Sequence, residues 1–193
     1  MSTSNGDVSK DLKAKLTEVF KAFTTKDGAE QGRIITTHYR EDAHFIDPLM
    51  DSIGREEIAL AFFSLIKVFS KVELEQKSAE LLPAHTLPTK LQGQDLQQVA
   101  VHNQQVYHLE RSGFLSKRLF PEVVDLDVTS TFTIDPKSGL IVQHTDVWNN
   151  KGFGMAGFLK RPNGAMGGAL FKMLGWKKEV FPPGHESTQK SSL

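Results

Sequence analysis

Between residues 9 and 69 the apolar positions recur with the spacing of helix faces. After residue 70 they shift to alternation. Leu12, Leu16, Val19, Phe20 and Phe23 lie on one face at intervals of three and four, so the chain from Ser9, a suitable N-cap, predicts a first helix. The run Thr24-Thr25-Lys26-Asp27-Gly28 breaks it, and residues 29–38 predict a shorter second helix that stacks on the first. A short apolar strand, residues 43–46, then runs into Asp47-Pro48, where proline, lacking an N–H, ends it. After a stub through Ile53, Gly54 precedes a third helix. Its first turn holds Glu56 and Glu57, and its stripe is Ile58, Phe62, Leu65, Ile66 and Phe69.

From there to residue 150 the pattern is that of strands. Residues 72–82, 96–109, 123–134 and 140–148 are rich in β-branched side chains and alternate imperfectly, which predicts four long strands. Asp135-Pro136-Lys137-Ser138-Gly139 is a tight turn between the last two. Within 123–134, Val124, Leu126, Val128, Ser130, Phe132 and Ile134 share the buried side. In the last strand, Leu140, Val142, His144, Asp146 and Trp148 share one side, and neither side is purely apolar. Polar groups on a buried face are costly unless paired, so the mixed faces point to a wet pocket or a subunit interface. Helices followed by a meander of strands make an α+β fold, a strongly bent, mainly antiparallel sheet wrapped around three N-terminal helices.

Composition narrows the function. The 193 residues suit one domain with tails. Lysine plus arginine balances aspartate plus glutamate at 23 each, so total charge calls for neither nucleic acid nor a membrane. There is no cysteine, which removes disulfides and thiolate chemistry. No apolar run resembles a secretory signal or a membrane span, and the expectation is a cytoplasmic protein. The histidines His38, His44, His85, His102, His108 and His144 lack metal-site spacing, so no metal is expected. Gly152-Phe153-Gly154-Met155-Ala156-Gly157 spells a dinucleotide fingerprint. It follows an antiparallel strand and Pro162 interrupts the helix it would need, so it reads as a linker and no cofactor is expected.

The segment Tyr39-Arg40-Glu41-Asp42-Ala43-His44-Phe45-Ile46-Asp47-Pro48, with Gly54 and the hairpin Phe132–Trp148, resembles the nuclear transport factor 2-like superfamily. Within it the chain is most similar to the SnoaL-like branch, which includes polyketide cyclases and relatives of ketosteroid isomerase. The resemblance covers residues 9–150 and implies a cone-shaped barrel with a pocket between helices and concave sheet. It places Asp47 where isomerase relatives carry the carboxylate that removes a proton beside a carbonyl. The positions of their hydrogen-bond donors for the enolate oxygen fall near Phe23 and Ser130. His144 and Asp146 match the His-x-Asp of SnoaL-like cyclases. The candidate catalytic residues are thus Asp47, His144 and Asp146, with Tyr39, Phe45 and Trp148 as ligand-binding walls.

Outside this domain, residues 1–8 and 182–193 read as disordered tails. Residues 151–181 carry six basic residues against one acidic, interleaved with Phe, Met and Trp. Such a segment could touch an anionic membrane or a protein, or fold back over its own domain. Two readings of the whole stand open. One is a binding pocket for a small apolar molecule in a homodimer paired through its sheet, with isomerase, cyclase or dehydratase chemistry. The other is a non-catalytic interaction module.

Overall fold

The computed structural model describes residues 8–109, 122–149 and 177–182. Helix α1 (Lys10–Thr24) starts where the Ser9 hydroxyl accepts a hydrogen bond from the Leu12 amide. Helix α2 (Gly28–His38) starts where the Asp27 carboxylate accepts from the amides of Ala29 and Glu30. No loop separates α2 from strand β1 (Tyr39–Ile46), which is four residues longer at its start than alternation alone indicates, because Tyr39 already has extended backbone. Strand β2 (Asp51–Ile53) pairs back on β1. Gly54 follows with φ of 87°, a conformation that an L side chain resists, and opens helix α3 (Arg55–Val68). The Arg55 guanidinium reaches back to the carbonyl of Tyr39, tying the start of α3 to the start of β1.

Strands β3 (Phe69–Leu82), β4 (Gln97–Leu109), β5 (Val123–Ile134) and β6 (Ile141–Trp148) complete the sheet. Its order is β2-β1-β6-β5-β4-β3. Every neighbouring pair is antiparallel except β1 and β6, which run parallel. Register shifts interrupt β1–β6, β3–β4 and β5–β6. Such irregularities kink strands, and here they go with a sheet that bends over the helices without closing.

The core lies between α1–α3 and the inner face of the sheet, where Phe20, Phe23, Ile34, Phe62, Phe45 and Phe132 are all buried. A second apolar cluster, Val72, Tyr107, Val124, Leu126 and Val128, occupies the other end of the inner face. The alternation expected in β5 is observed from Val124 to Phe132; beyond it Thr133, on the opposite face, is buried as well and accepts from Gln98. On β4, Gln98 and Ala100 are buried although they oppose the inner face, and Gln98 accepts from Thr86 in the connection after β3. A last helical turn, α4 (Lys177–Val180), packs against α2 and α3, with Val180 buried over Gly32. This is the end of the basic segment; the fingerprint at residues 152–157 and residues 1–7 and 183–193 of the two expected tails lie outside the described residues, whereas Val8, expected in the first tail, is buried in the core.

Candidate functional site

Strands β1 and β6, neighbours through their parallel pairing, bring the two acidic candidates together. Asp47 stands one residue past the end of β1, and Asp146 is two positions from the end of β6. Both line a cleft between the two apolar clusters, together with Phe23, Leu49, Met50, Leu65, Phe69, Gln105, Tyr107, Leu126 and Trp148. Its empty space is about 420 Å³ with the solvent at its mouth included, and most of that is too narrow to admit the centre of a water molecule.

Asp47 occupies a tight turn imposed by Pro48. Its Oδ1 accepts from the amides of Leu49 (2.7 Å) and Met50 (2.5 Å), and its own amide donates to the Met50 carbonyl. Those amides favour the carboxylate, but burial and the negative charge of Asp146 outweigh them. Asp47 is pushed up to about 7. A carboxyl group at that value exchanges protons near neutral pH, which is what a general base or acid requires.

His144 lies behind this pair. It is wholly buried, stacked on Phe132 at 4.1 Å between ring centres and edge-on to Phe23, Phe45 and Phe62. Its Nδ1 is 2.7 Å from the Tyr39 hydroxyl and its Nε2 is 3.0 Å from Asp146 Oδ1. The arrangement that uses every donor has Tyr39 O–H donating to Nδ1 and Nε2–H donating to Asp146. Burial, and secondarily the charge of Asp146, raise the Tyr39 hydroxyl well above its ordinary value, so it stays a neutral donor. The three side chains form a chain that runs from the core to the cleft and fixes the Asp146 carboxylate at its outer end.

The sequence candidates therefore divide. Asp47, Asp146 and Trp148 line the cleft. Tyr39 and Phe45, expected as walls, lie in the core at 0% and 2% exposure, because β1 passes beneath α3 before it reaches the cleft. His144 touches Asp146 but does not line the cleft. Ser130 is buried and accepts from Asn103 Nδ2, while Phe23 lines the cleft as an apolar wall.

Two polar cleft residues were missed, Gln105 and Tyr107. Tyr107 donates to Gln105 Oε1, and Gln105 donates to Asn103 Oδ1. Alternation through Val99, Val101, Asn103, Gln105 and Tyr107 places these polar groups on the buried face of β4. That was the signal available. Among the described residues no group of three or more His, Cys, Asp or Glu side chains is placed to hold a metal ion.

This fold and paired-acid cleft define an α+β cone with a pocket on its concave side, and the chain has the nuclear transport factor 2-like fold. Solved structures that share it include a candidate aromatic ring hydroxylase from Novosphingobium aromaticivorans, with a TM-score of 0.54 and 12% identity over 80% of this chain and 100% of that one. Another is an NTF2-like protein from Anabaena variabilis, with a TM-score of 0.52 and 12% identity over 78% and 98% of the two chains. A candidate SnoaL-like polyketide cyclase from Jannaschia sp. has a TM-score of 0.50 and 15% identity over 75% and 91%. At these identities the likeness is one of fold. No family model and no curated protein matches the chain.

Proposed function

We propose that the protein binds a small, largely apolar or aromatic molecule in the cleft and moves a proton on it, in an isomerase-, cyclase- or dehydratase-type reaction, with Asp47 as the base. The observation that carries this is the convergence of Asp47 and Asp146 on one apolar-walled cleft, with Asp47 raised to about 7. A base in that range is half-ionised at neutral pH. It can take a carbon-bound proton beside a carbonyl and return it to a neighbouring position without a cofactor.

Burial raises the proton affinity of Asp47, and the charge of Asp146 raises it further. His144 and Tyr39 hold Asp146 in place and act as positioning residues, since neither lines the cleft. Trp148, Phe69 and Leu65 exclude water and orient the substrate. The test is hydrogen exchange at the α-carbon of phenylacetone in D2O, followed by NMR with the full chain. We expect catalysed exchange that Asp47→Asn lowers by about a hundredfold, in the usual range for loss of a general base. Equal exchange rates in the two proteins would sink the proton-transfer reading. Native mass spectrometry of the purified chain, repeated with Leu65→Trp to fill the cleft, tests the pocket separately.

A further inference from the structure

We propose that the natural ligand of the cleft is a small organic cation, an ammonium group on a compact apolar or aromatic body, seated with its charge against Asp47 and Asp146. The inference rests on reading the cleft as a ligand pocket and adds the chemical class of the occupant.

The first reason is charge. The lining contains two carboxylates and no lysine, arginine or histidine among the described residues. Asp146 is 5% exposed, and only its Oδ1 has a hydrogen-bond partner among the described residues, His144. Asp47, half-buried, spends Oδ1 on two backbone amides, and its Oδ2 has no hydrogen bond to a described residue. Two like charges converging on one apolar-walled cleft repel each other, and a charge of opposite sign offsets that repulsion. A ligand cation between the two supplies it.

The second reason is the wall. Phe23, Phe69, Tyr107 and Trp148 all face the cleft. Aromatic faces attract an ammonium group and its alkyl substituents together, at about 0.5–2 kcal/mol per well-placed ring. Carboxylates with aromatic rings and no basic residue suit an alkylammonium group better than any neutral or anionic ligand.

The third reason is what the site refuses. A hydrated divalent ion needs about six oxygens, whereas the rest of the lining offers Gln105, Tyr107 and the apolar Leu49, Met50, Leu65 and Leu126. A neutral ligand of the same shape fits the apolar walls but gives the acids no compensating charge, so it is held more weakly, and an anion is repelled.

The titratable groups facing Asp47 are Asp146 from β6 and Tyr107 from β4. Helices α1 and α3 and strand β3 contribute only Phe23, Leu65 and Phe69 to the lining. Cation binding therefore favours ionised Asp47 and strengthens as pH rises through about 7. The experiment is calorimetric titration of the full chain with benzylamine, benzyl alcohol and benzoate at pH 8 and pH 5.5.

At pH 8 we expect benzylammonium to bind at least about tenfold more tightly than the alcohol, roughly 1.4 kcal/mol, with benzoate weakest. The preference should shrink several-fold at pH 5.5, and Asp146→Asn should bring the amine down to the level of the alcohol while alcohol binding holds. If the alcohol or benzoate matches the amine at pH 8, or the amine preference survives in both Asp146→Asn and Asp47→Asn, the cation inference is overturned and the pocket stands. If no probe binds, or Leu65→Trp changes the binding of none, the pocket reading is overturned with it.

Discussion

A carboxylic acid that ionises reluctantly in the folded chain leaves a mark on stability as well as on chemistry. Asp47 lies near 7 in the fold and near 3.8 when exposed, so the folded state holds its proton over a range where the unfolded chain has lost it. Its contribution is full below about 4 and is lost as pH rises toward 7. Asp47→Asn keeps an oxygen for the Leu49 and Met50 amides and removes the charge. We expect it to raise stability at pH 8 by about 1–3 kcal/mol and to flatten the profile between pH 4 and 8, measured by urea unfolding. The opposite sign is expected at His144, where His144→Phe leaves the Tyr39 hydroxyl and the Asp146 carboxylate unpaired in the core. The cost is about 2–4 kcal/mol.

At the scale of elements, the sequence was most legible where periodicity is strict. Helices α1 and α3 and strand β5 stand where their apolar spacing put them, and Ser9 caps as expected. Asp47, Asp146 and Trp148 were legible as cleft residues because strand ends and faces are local properties. Tyr39, Phe45 and His144 were not placed correctly in depth. Alternation assigns a face, but only the course of β1 beneath α3 decides how far along the cone a side chain points.

Gly28 and Gly32 were silent in the sequence for a related reason, since their use depends on α4. A Cβ on Gly32 would stand 2.3 Å from the Val180 carbonyl oxygen, and one on Gly28 would meet the Phe63 ring at 2.6 Å. Alanine normally stabilises a helix interior relative to glycine by about 1 kcal/mol. Here Gly32→Ala should destabilise the full chain by about 1–3 kcal/mol in thermal unfolding, and stabilise a chain that ends before residue 177. The exposed Lys67–Glu179 ion pair adds little to this docking.

For the whole molecule, the outer face of the sheet leaves Val123 and Val147 exposed at 44% and 52% beside a mostly polar surface. We propose that this face pairs two copies of the chain. Sedimentation equilibrium should then give twice the 21.5 kDa chain mass, and Val147→Lys should return it to one chain mass. No helix among the described residues is long and apolar enough to cross a membrane.

The parallel seam of β1 and β6 joins segments far apart in the chain: Tyr39 meets His144, 105 residues away. A growing polypeptide can assemble its helical hairpin early, yet its two acids cannot meet across the cleft until almost the whole domain has been made. Closing so large a loop is slow, so the raised proton affinity of Asp47 should emerge late in refolding, after the β3–β5 meander has formed. Until then the two acids are separate, ordinary side chains in water.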